Sequence, residues 1–205
     1  MRNALAAKSL YKGSLTREQF LFYETRITAN LILEGLSRAE AIDRISIDNL
    51  FQYPTERVVR NLAAVCYDRL MLLNDRTLIE NVAKGSFETA KQTCLYAIMK
   101  HNYLLWDFMV TVIGEKYRTL DFSFSKTDLN VFFNRLQEQD DYVATWSDTT
   151  ITKIKQVITR ILIETGYLEE TDKNHLNMVL LDNGLKEAIN AQGNRIILPA
   201  FNCFD

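Results

Sequence analysis

The chain has 205 residues, 47% of them hydrophobic, with two prolines and seven glycines, a composition that can bury one substantial core and that disfavours a sandwich or barrel. A formal net charge of -2 excludes the bulk cationic character of a nucleic-acid-coating protein, so any phosphate contact must use a local patch. Cys66, Cys94 and Cys203 are odd in number and widely spaced, which fits neither a zinc site nor a disulfide framework and reads as buried thiols in a reducing cytoplasm.

Residues 1–16 read as a basic arm. Arg2, Lys8 and Lys12 lie in it, Arg17 follows, and no acidic residue precedes Glu18. Such a segment is either a frayed terminus kept soluble by its charges or a binding arm. Its lysines interrupt the early apolar residues, so it lacks the apolar core of a signal peptide.

Thr16 with Gln19 has capping-box spacing and predicts a first helix over 17–34, with Phe20, Tyr23, Ile27 and Leu31 on its apolar face and Gly35 as its stop. Ser37 with Glu40 opens a short second helix ending near Asn49, giving a helical hairpin. Pro54 disfavours the helical conformation at Tyr53, so the chain bends there. Thr55 then caps a third helix to about Leu73, inward at Val59, Leu62, Cys66 and Leu70.

Asp75 to Lys84 predicts a short helix closed by Gly85, and Ser86 opens a long apolar helical region to about Tyr117, broken near His101-Asn102. The run from Leu104 to Ile113 is interrupted by Asp107 and is too short to span a bilayer, which needs about 20 apolar residues. Ser125 with Asp128 starts a helix to about Gln139, and Ser147 or Asp148 starts the last long helix, ended by Gly166. From 167 to 205 the texture changes. Met178 to Leu181 and Ile196 to Leu198 are runs of strand type around a short helix over 184–191, which predicts a small α/β or wing-like tail beside a helical body spanning 17–166 in one 205-residue domain.

Only two histidines, His101 and His175, are present, in no triad or metal-ligand spacing. Glu138, Asp140 and Asp141 lack the alternating spacing and closing glutamate of a calcium loop. There is no phosphate loop or nucleophile elbow. Neither catalysis nor a cofactor nor a metal is indicated. Glu24 and Arg26 stand two apart on one helix and point to different faces.

What the residues do offer is cationic. Arg57 and Arg60 stand near a helix start, Lys153 and Lys155 lie on the last long helix, and Lys8 and Lys12 lie in the arm. Helix N-termini and arginines both favour phosphate, although ordinary solvated faces would have the same composition. A helix followed by a wing-like ribbon is also the order of winged-helix modules.

Phe20 to Ile27, Leu33 to Ser37, Asn49-Leu50-Phe51-Gln52 with Thr55 and Arg57, and Asp68-Arg69-Leu70 together resemble the BrxA family of bacteriophage exclusion (BREX) defence systems. The likeness extends over nearly the whole chain, with its specific residues concentrated before Leu73. Glu24, Arg26, Arg69 and Leu70 match family positions. The resemblance implies an all-helical body arranged like the NusB antitermination proteins and an association with DNA. It implies a cytoplasmic, non-enzymatic accessory protein that binds double-stranded DNA through phosphate contacts. Two alternatives are a scaffold docking other BREX components and an RNA-binding factor. The family is often described as an inner membrane protein, a description at odds with the absence of a spanning segment.

Overall fold

Short polar residues placed just ahead of apolar helical stretches set most of the helix starts. The structure, a computed structural model, describes residues 9–204. Helix α1 (Phe22–Leu33) turns at Gly35, whose φ of 92° suits a residue without Cβ, into α2 (Arg38–Ile47). Ser37 caps α2, and the Glu40 carboxylate accepts the Ser37 N–H in return at 2.8 Å. The bend at Pro54 leads into α3 (Glu56–Met71), where Thr55 is extended as a cap should be but its hydroxyl makes no capping bond.

Asp75 caps α4 (Arg76–Lys84), and Ser86 caps α5 (Phe87–His101). The central helix breaks where the sequence suggests. Asn102 is buried, and its side chain accepts the Leu105 N–H at 3.3 Å to start α6 (Tyr103–Phe108). A π turn over Met109–Gly114 and the short α7 (Glu115–Arg118) follow. Ser125 and Asp128 form the second capping box, at the head of α8 (Lys126–Gln139). Asp140 and Ser147 cap α9 (Asp141–Ala144) and α10 (Asp148–Glu164), and α11 (Asn183–Ala191) precedes a closing 3₁₀ segment, Arg195–Phe201.

The protein is a helical bundle with two apolar clusters. The larger runs through α4 to α11 and is centred on α5 and α6, where Cys94 to Met99, Leu104, Leu105 and Phe108 are all buried. The smaller lies between α1, α2 and α3 and includes Ile42, Ile45, Val59, Leu62 and Cys66. Burial pushes the Cys66 thiol up to about 11 and raises the Cys94 thiol too, so both are inert. Cys203 is only partly buried, against the expectation of three interior thiols.

Two further sequence expectations are corrected. The first helix begins at Phe22, not Arg17, because the Arg69 guanidinium takes the carbonyls of Glu18, Gln19 and Phe20 that a helix would need for itself. Thr16 donates to the Gly13 carbonyl at 3.0 Å, and Leu21 enters the helix in a left-handed conformation at φ 55°. Helix α1 therefore turns Phe22, Thr25 and Ala29 inward and leaves Tyr23 68% exposed.

The tail forms no strand among the described residues. The antiparallel bridge found there joins Ser123 to His175, with Leu176 N–H on the Phe122 carbonyl at 2.7 Å. Ile196 to Leu198 is part of the 3₁₀ segment, since Ile197, Leu198, Ala200 and Phe201 must all face the core and alternation cannot achieve that. Met178 to Leu181 joins no strand, and its Leu180 carbonyl accepts from the Gln92 amide at 2.8 Å.

Candidate nucleic-acid interface

Residues 11–20 run as a strap across the bundle and are fixed at both ends. At the front, the Tyr11 hydroxyl donates to Asp107 at 3.1 Å, and Arg135 donates to the same carboxylate oxygen at 2.7 Å. Burial first, and then the Asp107 charge, raise the Tyr11 pKa, so this phenol stays protonated. At the back, fully buried Arg69 donates to Glu18 O at 2.6 Å and Gln19 O at 2.9 Å. Leu15 fills the core between these anchors.

The strap's 3₁₀ turn, Gly13–Thr16, lies on the start of α10. A Cβ at Gly13 would sit 3.8 Å from both Thr150 and Trp146. Strap and helix thus form the two walls of an open groove of about 650 Å³, lined by Lys12, Arg17, Tyr142, Trp146, Thr149 and Lys153 among others. The N-terminus of the 17-residue α10 opens beside it, which adds positive potential from the helix dipole.

Lys12, Arg17 and Lys153 are exposed, and none of them enters an ion pair among the described residues. That sets them apart from much of the basic surface. Arg38 is held by Asp68 at 2.7 Å, Arg76 by Glu80 at 3.3 Å, and Arg160 by Glu164 at 2.9 Å.

The cations singled out from sequence are therefore sorted by the fold. Lys12 and Lys153 meet in this groove, joined by Arg17. Lys155, two residues on, falls on the other flank of α10. There it donates to Asn130 at 2.8 Å, lies over the Phe133 ring at 5.4 Å, and lines a second groove of about 510 Å³ with Lys126, Arg160, Lys173 and the opposing Glu170. Partial burial pulls the Lys155 ammonium pKa down. Arg57 and Arg60 stand on the first turns of α3 and line neither groove. Arg57 is exposed, whereas Arg60 is bound to Asp43 at 2.8 Å. Lys8 lies outside the described residues.

Glu24 and Arg26 separate as expected. Glu24 accepts from the Tyr53 hydroxyl at 2.8 Å. Arg26 donates to the Ala83 carbonyl at 3.0 Å and lies over the rings of Phe22 and Phe87. Both hold helices together. Sequence reasoning passed over Tyr142 and Trp146 as site residues. A usable signal existed, since Trp146 immediately precedes the Ser147 cap and so must sit at the mouth of α10.

Fold and groove define a class: an all-helical protein in which three cations without ion pairs meet aromatic rings in one surface groove, and in which no described helix is long and apolar enough to cross a membrane. The chain belongs to the BrxA family, whose model matches residues 9–193. A protein of Bacillus cereus (strain H3081.97) named BREX protein BrxA is 33% identical over 95% of this chain and 97% of its own length. Proteins of the same name from Paramagnetospirillum magneticum and Escherichia coli O9:H4 are each 25% identical, covering 84% and 82% of this chain and 86% and 79% of their own lengths. The crystal structure of an uncharacterized protein from Magnetospirillum magneticum shares the fold, with a TM-score of 0.81 at 22% identity over 94% of this chain and 98% of that one.

Proposed function

We propose that this protein serves a BREX phage-defence system as a cytoplasmic, non-enzymatic accessory that binds double-stranded DNA, mainly through phosphate. The reading rests on the meeting of Lys12, Arg17 and Lys153, free of ion pairs, along one groove beside a helix N-terminus. Unpaired cations can neutralise phosphate without first surrendering a carboxylate partner. The relatives' names supply the defence setting.

Each neutralised phosphate contributes about -0.9 to the slope of log affinity against log salt on duplex DNA, so three cations together contribute about -2.7. Titration of a labelled duplex by fluorescence anisotropy at several salt concentrations measures this. Lys12→Gln and Lys153→Gln should each weaken binding and flatten the slope by about 0.9. Absence of binding at low salt would sink the proposal, as would slopes unchanged in both variants.

A second reading, a scaffold for other BREX components, draws on a different surface. Met178 and Leu180 are 73% and 90% exposed on an irregular segment whose Met178, Val179 and Leu180 N–H groups bond no partner among the described residues. Apolar side chains beside unbonded backbone N–H groups suit strand addition, although the Leu180 carbonyl is already held by Gln92 at 2.8 Å. Co-purification of another BREX component that survives nuclease and is lost in Leu180→Asp would favour this reading.

A further inference from the structure

We propose that the groove between the strap and α10 takes an unpaired stretch of a DNA strand, stacking its bases on Trp146 and Tyr142 while Lys12, Arg17 and Lys153 hold its phosphates. This rests on the nucleic-acid reading above and goes beyond it, since phosphate contact with a duplex needs no aromatic ring.

Five observations carry it. The volume, about 650 Å³, lies within the range of a pocket for one small ligand, roughly 300–1,000 Å³; a base from one strand can enter it, whereas a duplex reaches its cations only with backbone phosphates. Tyr142 is 54% exposed and Trp146 is partly exposed, whereas Tyr96, Tyr117, Tyr167, Phe108 and Phe133 are fully buried; Tyr23 and Phe87 are also open to water but do not line this groove. Leaving two large rings open to water forgoes burial that the fold achieves elsewhere.

The two rings meet edge to face at 84°, with centroids 6.0 Å apart. In this geometry the edge of one ring occupies a single face of the other, so ring surface remains for a base. Position 13 has no side chain, and a Cβ there would lie 3.8 Å from Trp146 Cζ2, against the ring a base would use. Finally, the Trp146 indole N–H and the Tyr142 hydroxyl make no hydrogen bond among the described residues. Both remain free for phosphate or a base edge. Aromatic platforms interleaved with cations are how proteins hold single strands without reading sequence.

The test compares three labelled probes by anisotropy: a blunt duplex, the same duplex with a short thymidine overhang, and that duplex with a uridine ribonucleotide overhang. Emission from Trp146 is followed in a Trp106→Phe background. The expected result is an overhang preference of about fivefold or more, the low end for one stacked base, together with quenching of Trp146 by the thymidine overhang. Trp146→Leu should reduce the ratio of overhang to blunt affinity towards one. Tyr142→Ala, at an exposed position, should lower the same ratio and serves if the tryptophan variant does not fold.

Equal affinity for blunt and overhanging duplex would overturn this inference while leaving the duplex reading intact. Failure of every probe to bind would overturn both. A marked preference for the ribonucleotide overhang would overturn the assignment to DNA.

Discussion

Replacing Arg69 with methionine should unfold the strap and cost the protein about 2–4 kcal/mol. A buried ion pair can often be exchanged for apolar side chains without loss, because both charges leave together. Here the acceptors are backbone carbonyls, those of Glu18, Gln19 and Phe20 at 2.6, 2.9 and 3.4 Å, and no side-chain substitution removes them. The bond to Phe20 is fully buried, so its carbonyl is stranded away from water; those of Glu18 and Gln19 lie nearer the surface and can rehydrate.

Charge-assisted hydrogen bonds contribute roughly 1.5–3 kcal/mol each, and a stranded buried acceptor costs about 1–3 kcal/mol. Against this stands the relief of desolvating a guanidinium, which burial already disfavours: the Arg69 pKa is lowered chiefly by desolvation, and its Nε finds no acceptor. The net is about 2–4 kcal/mol, or a fall in melting temperature of roughly 5–15 °C for a chain of this size. Differential scanning fluorimetry measures it directly. Since Arg69 also sets the path of the strap beside Arg17, the variant should lose DNA affinity at temperatures where it remains folded. A melting temperature equal to that of the native chain would refute the account of Arg69 as the strap's anchor.

Burial first, and then the Arg69 charge, lower the pKa of His101 below its ordinary value. The unfolded chain therefore takes up this proton at higher pH than the folded one, so stability is full above about pH 6.5 and falls as pH drops through the folded value; His101→Gln should flatten that part of a chemical-denaturation profile. Gly114 lies where a Cβ would come within 3.3 Å of both Ala200 N and Pro199 Cβ. Gly114→Ala should therefore cost about 1–3 kcal/mol by overpacking the π turn against the closing 3₁₀ segment, and unfolding in urea at the native midpoint would contradict this.

How much of this was legible depended on the distance over which each residue acts. Ser37 with Glu40 and Ser125 with Asp128 close their capping boxes within one turn, so spacing alone identified them. The first helix was misplaced because the residue that unwinds 18–20 is Arg69, 50 residues away from Gln19, and no local pattern reports such a bond. The tail was misassigned because an apolar triplet such as Ile196 to Leu198 has the same composition in a strand and in a 3₁₀ turn. Lys153 and Lys155 stand two apart on α10, and the fold gives each to a different groove. Lys12 and Lys153 were each visible as cations, but their meeting depends on how the strap folds over α10.

That folding has a temporal consequence. Tyr11 reaches Asp107 across 96 residues, and the strap cannot lie on α10 until α10 has been made and docked. Closing so long a loop is entropically costly and slow. During synthesis the earliest helices can pack while the groove still has only one wall. Affinity at the groove is therefore gained only once α10 has docked, and a chain stalled before α10 offers DNA no such groove.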